Sequence, residues 1–292
     1  MVTDPTQLAL QKPHDIKISP GLYIVATPIG NMRDITLRAL DVLNHANIVF
    51  CEDTRVTGKL LKAYAISTPM KSYHDHSGDS VRNSVIERIK KGEVVALVSD
   101  AGTPLISDPG YKLLRIISAE SLPLHIVPGP CAAIAGLVCS AMPTDHFCFL
   151  GFLPAKTTAR QQRLAEWKAV KAPLILYERA SRLLKTLQDI ETILGNRKVA
   201  VARELTKLYE EVTSDYVTDL THFYTQEGLP KGELVVVIEG ASEASHDQKS
   251  VDALLQDALE KMSVKDASHE VSMLTGWSKK DVYQRALLLK RK

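Results

Sequence analysis

Residues Val94 to Val98 are apolar without interruption, and the chain then breaks at once into Ser99-Asp100-Ala101-Gly102-Thr103-Pro104. Such a run suits a strand buried on both faces, as in parallel sheets flanked by helices. Open parallel sheets bind ligands beyond the carboxyl ends of their strands, where successive connections diverge. A carboxylate, a glycine and a hydroxyl at that place suit a small polar ligand. Asp100 accepts hydrogen bonds from an amine or a ribose, and Gly102 lets a ligand approach the backbone. Asp108-Pro109-Gly110 then reads as a helix start, because aspartate caps well and proline is favoured at the first helical position.

The same alternation runs through most of the chain. Strand-like segments at 22–26, 47–51, 94–98 and 124–127 alternate with helical spacing at 35–46, 57–65, 80–91 and about 109–118, and an apolar helix begins near Cys131. This predicts a first α/β domain over 21–143 with a largely parallel sheet. A second set follows, with strands at 147–152, 174–177, 199–202 and 234–239 and helices near 159–170, 181–194 and 217–224. Several of these strands have no helix between them, so the second domain, 144–240, is expected to hold a mixed α/β sheet. Residues 1–20 read as a flexible arm, and 241–250 has the small, polar composition of a linker. Segments 251–262, 264–274 and 279–289 read as three short helices of a small helical C-terminal domain, 251–292. Ser278 with Asp281 fits an N-cap, and Thr275-Gly276 makes a turn. The last pair resembles a helix-turn-helix, made locally basic by Lys279, Lys280, Arg285, Lys290, Arg291 and Lys292.

Bulk properties narrow the classes. The 292 residues are 45% hydrophobic and 24% charged, as in a soluble globular protein, and the net charge of +2 is too small to argue for nucleic-acid binding by itself. Cys51, Cys131, Cys139 and Cys148 form no CxxC pair, so no zinc knuckle or redox motif is indicated. Three of them lie in apolar stretches and read as small buried hydrophobes, which fits a reducing cytoplasm. No apolar run reaches the length of a membrane span, and the N-terminus lacks a charged-then-apolar leader pattern. His74-Asp75-His76 has no third ligand at recognisable spacing and reads as a polar loop, so no metal site is expected. Neither G-x-x-x-x-G-K-[ST] nor G-x-G-x-x-G is present, which disfavours ATP-driven and nicotinamide chemistry.

Seven segments taken in order are far more specific than any one of them. LYIVATPIGN at 22–31, CEDTR at 51–55, LVSDAGTPLISDPG at 97–110, PGPCAA at 128–133, FLGFLPAK at 149–156, ARELTK at 202–207 and KGE at 231–233 closely resemble the ribosomal RNA small subunit methyltransferase I family, a branch of the tetrapyrrole-methylase superfamily. The resemblance covers about 22–240 and continues weakly into the tail. It implies two α/β domains of the tetrapyrrole-methylase type with a cleft between them, plus the small helical C-terminal region. It further implies S-adenosyl-L-methionine as methyl donor, 2'-O-methylation of a cytidine ribose in the decoding region of 16S ribosomal RNA, and a cytoplasmic homodimer. By position, Pro28 and Gly30 would line the cleft, and Ser99, Asp100, Ala101, Gly102 and Thr103 would hold the methionine and ribose parts. Pro130, Cys131 and Ala132 would face the cofactor, Tyr177, Ala202 and Glu204 would come from the second domain, and Gly232 and Glu233 would close near the adenine. The family pattern places a histidine before Arg182, where this chain has Ser181.

Methyl transfer from an activated donor needs no metal and no nucleophilic triad, because positioning supplies much of the acceleration. The hydroxyl is the poor partner, and a nearby base helps it. Glu52, Asp53 and Lys156 are the candidates for catalysis, with an Asp53 or Glu52 salt bridge to Arg55 and phosphate binding by Lys156 as the competing roles. Lys156, Arg160 and Arg163 form one basic cluster for the partner, small-subunit ribosomal RNA or the assembled small subunit, and the C-terminal helix forms another. Aromatics are scarce at 5%, so base stacking would rest on a few residues such as Tyr73 or Phe152, neither of which the sequence assigns. The rival readings are a methyltransferase acting on a tetrapyrrole precursor and a non-catalytic RNA-binding module.

Overall fold

Two five-stranded sheets hold the strands of the described residues, and each sheet is apolar where it is covered twice. The computed structural model describes residues 17–74, 78–108, 110–241, 248–275, 277 and 279–290. The first sheet has the order β3-β2-β4-β1-β5, built from β1 (Gly21–Val25), β2 (Ile48–Cys51), β3 (Met70–Ser72), β4 (Val94–Val98) and β5 (Leu124–Val127). Every pairing in it is parallel. Period-two alternation sends Tyr23, Val25, Val49, Cys51, Ala96 and Val98 to one face, onto Ala39, Val42 and Leu43 of α1 (Leu37–His45) and Leu61 of α2 (Thr54–Ala63). Leu22, Ile24, Phe50, Val95 and Leu97 go to the other face, onto Val85, Ile86 and Ile89 of α3 (Asp79–Lys90) and Leu113 and Ile117 of α4 (Tyr111–Ala119). Each fully buried leucine or isoleucine here contributes about 2 kcal/mol. Side chains fix two helix starts: Thr36 accepts from Ala39 N at 3.1 Å, and Asp53 from Arg55 N at 2.8 Å.

Strand order creates the crevice. β1 leads to β2, which lies beyond β4, and β4 leads to β5, which lies beyond β1. The connections leaving these adjacent carboxyl ends therefore run apart and carry α1 and α4 to opposite faces. That divergence is a topological switch point, and the break at Ser99 lies on it.

The second sheet has the order β6-β7-β10-β8-β9, from β6 (Cys148–Phe152), β7 (Leu174–Arg179), β8 (Lys198–Arg203), β9 (Glu211–Tyr216) and β10 (Glu233–Ile238). Only β6–β7 is parallel, so the sheet is mixed. Leu234, Val236 and Ile238 face α6 (Thr157–Ala165), α7 (Leu183–Leu194) and α8 (Val217–Gln226) through Leu164, Leu187, Ile190 and Leu220. Val235 and Val237 face the other way, with Ile175, Ala200 and Ala202, onto Ala133 and Leu137 of α5 (Ala132–Cys139). The helix that ends the first α/β unit thus covers the second sheet. Gly136 permits the approach: a Cβ there would stand 2.5 Å from Val235 Cγ1. Beyond the sheets, α9 (Gln248–Lys261), α10 (Val264–Thr275) and α11 (Lys279–Lys290) close around Val251, Leu255, Ala267, Val271, Val282 and Ala286.

Several expectations change. β3 and β9 are strands that the sequence reading lacks; both are edge strands, and β3 is exposed throughout. The cap of α4 is Gly110, not Asp108, whose side chain is released for another task. α6 stops at Ala165, five residues before the expected end. Of the cysteines only Cys51 is buried; Cys139 is exposed on the outer side of α5, and Cys131 and Cys148 are half-buried. Arg285 is not a free basic group, because its guanidinium grips Asp252 at 2.6 and 2.5 Å. The expected Ser278 cap, Gly276, Asp75, His76, Arg291, Lys292, most of the N-terminal arm and most of the linker lie outside the described residues.

Candidate functional site

Main-chain hydrogen bonds knit the loops at the switch point. Thr27 N donates to Gly102 O at 2.9 Å and Gly102 N to Thr27 O at 3.0 Å. Ser99, buried, donates its hydroxyl to the carbonyls of Ala101 and Gly102 at 3.2 and 3.3 Å. Thr103 Oγ1 donates to Pro130 O at 3.1 Å, and Asp53 N to Asp100 Oδ1 at 3.0 Å. The loops after β1, β2, β4 and β5 therefore meet at Asp100–Thr103. Gly102 has φ +80°, where a side chain would strain the turn.

The second sheet supplies the opposite wall through strand register. Phe152 pairs with Tyr177, Tyr177 with Val235, and Val235 with Ala202, so four residues from four strands stand in one row. The Tyr177 hydroxyl accepts from Ala133 N at 3.2 Å, which fixes the row to the start of α5. The turn after β8 completes the wall. Asn31 N donates to Thr206 Oγ1 at 3.1 Å, and Lys207 Nζ lies 2.9 Å from Glu204 Oε1.

Between the walls lies a cavity of about 230 Å³. Of the residues expected to bind cofactor, Asp100, Ala101, Gly102, Thr103, Ala132, Tyr177, Ala202 and Glu233 line it. The others surround it. Ser99 supports the floor, Pro130 holds Thr103, and Cys131 is the N-cap residue of α5. Pro28 and Gly30 flank Ile29, which reaches the wall, and Gly30 leaves room for Lys207, whose Cγ would stand 2.5 Å from a Cβ there. Glu204 pairs with Lys207 and lies against Gly232, where a Cβ would stand 2.1 Å from its Oε1.

The catalytic candidates stand outside the lining. Glu52 ends β2. Asp53 caps α2 and chelates Arg55, whose hydrogen bonds hold the Asp53 carboxyl down at about 2. Lys156 is the N-cap residue of α6. The basic cluster expected around Lys156 does not form: Arg160 is 2% exposed and bound to Asp189 at 2.5 Å, and Arg163 pairs with Glu166 and lies over the Trp167 ring.

Several lining residues have no assignment to the cofactor in the sequence reading, and four of them carry rings or charges that bear on chemistry. Phe152, Arg179 and Lys207 line the wall, and so does Asp108. Burial pushes the Asp108 carboxyl up to about 6, the neighbouring Ser99 hydroxyl offsets part of the shift, and Glu52 and Asp100 add repulsion. Burial also pushes the Tyr177 phenol far above its ordinary value, so it stays neutral. The cavity thus combines apolar surface from Ala101, Ala132, Ala202 and Val235 with the carboxyl groups of Asp100, Asp108, Glu178 and Glu233 and the cations of Arg179 and Lys207, of which Lys207 is paired with Glu204; the excess of carboxyl groups favours a cation with an apolar body. Among the described residues no group of three His, Cys, Asp or Glu side chains is arranged to hold a metal ion. Among those residues, too, no helix is long and apolar enough to cross a membrane.

A family model for tetrapyrrole (corrin/porphyrin) methylases matches residues 21–221, and one for the RsmI C-terminal HTH domain matches 245–290. Solved structures share the fold. A diphthine synthase superposes with a TM-score of 0.59 at 15% identity, covering 75% of this chain and 89% of its own. A uroporphyrin-III C-methyl transferase from Thermus thermophilus, complexed with S-adenyl homocysteine, gives 0.51 at 15% identity, covering 74% and 96%. Two α/β units around a cleft at a switch point are therefore the architecture of a tetrapyrrole methylase. Relatives named ribosomal RNA small subunit methyltransferase I match almost end to end. That of Erythrobacter litoralis is 49% identical over 273 residues, covering 94% of this chain and 96% of its own, and that of Mesorhizobium japonicum is 42% identical over 274, covering 94% and 93%. Within the tetrapyrrole methylases, the chain belongs to the ribosomal RNA small subunit methyltransferase I family.

Proposed function

We propose that this chain methylates small-subunit ribosomal RNA, using S-adenosylmethionine held in the cleft, and that the acceptor is the 2'-hydroxyl of a cytidine in the decoding region. The observation that carries the reading is the cavity itself: the carboxyl groups of Asp100, Asp108 and Glu233 stand beside apolar surface from Ala101, Ala132, Ala202 and Val235 at the switch point, with Arg179 and Lys207 in the same wall. That donor set fits an adenosyl sulfonium, whose cation and hydroxyls need carboxylates and whose ring needs apolar walls. When bound, the sulfonium supplies an activated methyl group.

Asp100, anchored by Asp53 N, is placed to accept hydrogen bonds from a ribose or an amine. Ala101 to Thr103, Ala132, Tyr177, Ala202 and Glu233 wall the remainder. Pro28, Gly30, Ser99, Pro130, Cys131, Glu204 and Gly232 support that wall from behind. Among the acidic residues of the wall, Asp108 has a raised carboxyl, ionised at neutral pH yet more basic than an ordinary aspartate. We assign to its carboxylate the proton of the attacking hydroxyl. Glu52 sustains that basicity by repulsion, Asp53 holds Asp100 and Arg55, and Lys156, the N-cap residue of α6, is assigned to phosphate.

The C-terminal helices, with Lys279 and Lys280 exposed, favour an RNA acceptor over a tetrapyrrole precursor. Leu124 and Ile126 on edge strand β5, with Ile134 and Val138 on α5, are exposed apolar residues that suit a homodimer contact. The reading places the enzyme in the cytoplasm, with the RNA or the assembled small subunit as partner. Incubation with labelled donor and either purified small subunits or a precorrin, followed by nucleoside mapping, tests it. A 2'-O-methylcytidine in the RNA is expected; label in the tetrapyrrole alone would overturn it.

A further inference from the structure

At the mouth of the cavity one large apolar side chain stands half in water. Phe152 ends β6 and is 53% exposed, although it belongs to the cavity wall. Its ring meets Tyr177 edge-on, with centroids 5.5 Å apart and planes at 61°. Phe149 braces Tyr177 from another side at 4.9 Å. The segment that follows Phe152 is held by two arginines. Arg182 donates to the carbonyls of Leu153 and Pro154 at 2.8 and 3.1 Å. Arg160 donates to Ala155 O at 3.0 Å while bound to the buried Asp189. Taking a guanidinium and a carboxylate out of water is costly unless hydrogen bonds satisfy both. Here those bonds fix the main chain just beyond an exposed phenylalanine.

Beside the ring, Arg179 ends β7, lines the same wall and is exposed, and no carboxylate pairs with its guanidinium among the described residues. A braced ring beside an unpaired guanidinium matches the needs of one nucleotide freed from a helix. Its base offers a π-face and its phosphate a negative charge. We infer that Phe152 and Arg179 form the acceptor subsite, where the ring stacks on the base of an unstacked nucleotide of single-stranded RNA and Arg179 holds the adjoining phosphate. This inference rests on the RNA-methylating reading above.

The test uses the full chain and purified small ribosomal subunits, with three readouts: subunit affinity without donor, KM and kcat for methyl incorporation, and calorimetric affinity for the donor. Phe152→Leu keeps apolar bulk and removes the ring; Phe152→Tyr keeps the ring. Leucine is expected to weaken subunit binding and raise KM about ten-fold, with a far smaller change in donor affinity and with tyrosine restoring subunit binding and KM. Arg179→Ala is expected to lower the slope of log affinity against log salt by about one. Leucine binding subunits as tightly as the native chain, or losing donor affinity in proportion, overturns the subsite. If the native chain binds subunits but transfers no methyl group to them, the methylation reading fails by itself, and the leucine–tyrosine difference in binding still decides the stacking role.

Discussion

The two walls of the cleft are made in different ways. The first sheet contributes through loops, whose main chains are bonded to one another at Thr27, Gly102 and Thr103. The second contributes through strands, whose register sets Phe152, Tyr177, Val235 and Ala202 in a row. A loop wall can change ligand contacts with little cost to the core. A strand wall ties each contact to the packing of a sheet. Substitutions in the first wall should therefore act on affinity, and those behind the second on stability.

The largest effect should come from behind the strand wall. Arg160→Ala leaves Asp189 buried beside a missing guanidinium, and denaturant unfolding is expected to show a loss of about 3–5 kcal/mol. A stability near that of the native chain would break the contrast. Asp100→Ala, in the loop wall, should weaken donor binding about ten- to hundred-fold by calorimetry, because a charge-assisted hydrogen bond is lost, while unfolding changes by less than about 1 kcal/mol. Gly136→Ala lies at the seam, where its Cβ would meet Val235 at 2.5 Å, and a destabilisation of about 1–3 kcal/mol is expected.

The smallest effect sharpens the contrast through pH. The folded Asp108 carboxyl holds its proton up to about 6, whereas the ordinary value is 3.8. The folded state binds more protons in that window, so the contribution of Asp108 to stability falls as pH rises through it. Asn does not ionise. Asp108→Asn should melt higher than the native chain above about pH 6, and the difference should vanish below about pH 4, as followed by melting temperature across the range.

The two walls also differ in how plainly they are written in the sequence. Asp100, Gly102 and Thr103 follow a buried apolar strand, and that break alone places them at the end of a parallel sheet. Phe152 gives no such signal. It joins the site because β6 runs parallel to β7 and ends at the level of Tyr177, a pairing across distant segments. Asp108 misleads for a local reason: Asp-Pro-Gly has the chemistry of a helix cap, yet Gly110 takes that position and leaves the carboxylate to the cavity. Arg160 shows the limit of reading charge from composition, since a basic residue near other basic residues lies buried against a carboxylate from another helix. β9 is not legible in the sequence because four of the six residues of EVTSDY are polar, and its strand character comes from pairing with β8 alone.

One consequence concerns the order in which a ribosome delivers the chain. Among the described residues β10 is the last strand made, yet it sits at the centre of its sheet, between β7 and β8, and carries the valine that joins Tyr177 to Ala202. Until Ile238 has emerged, those two strands lack the neighbour that unites them, and the inner surface of α5 has no seat. The pocket is therefore finished only once β10 is made, and a chain stopped short of Ile238 carries half a cleft with its seam open to water.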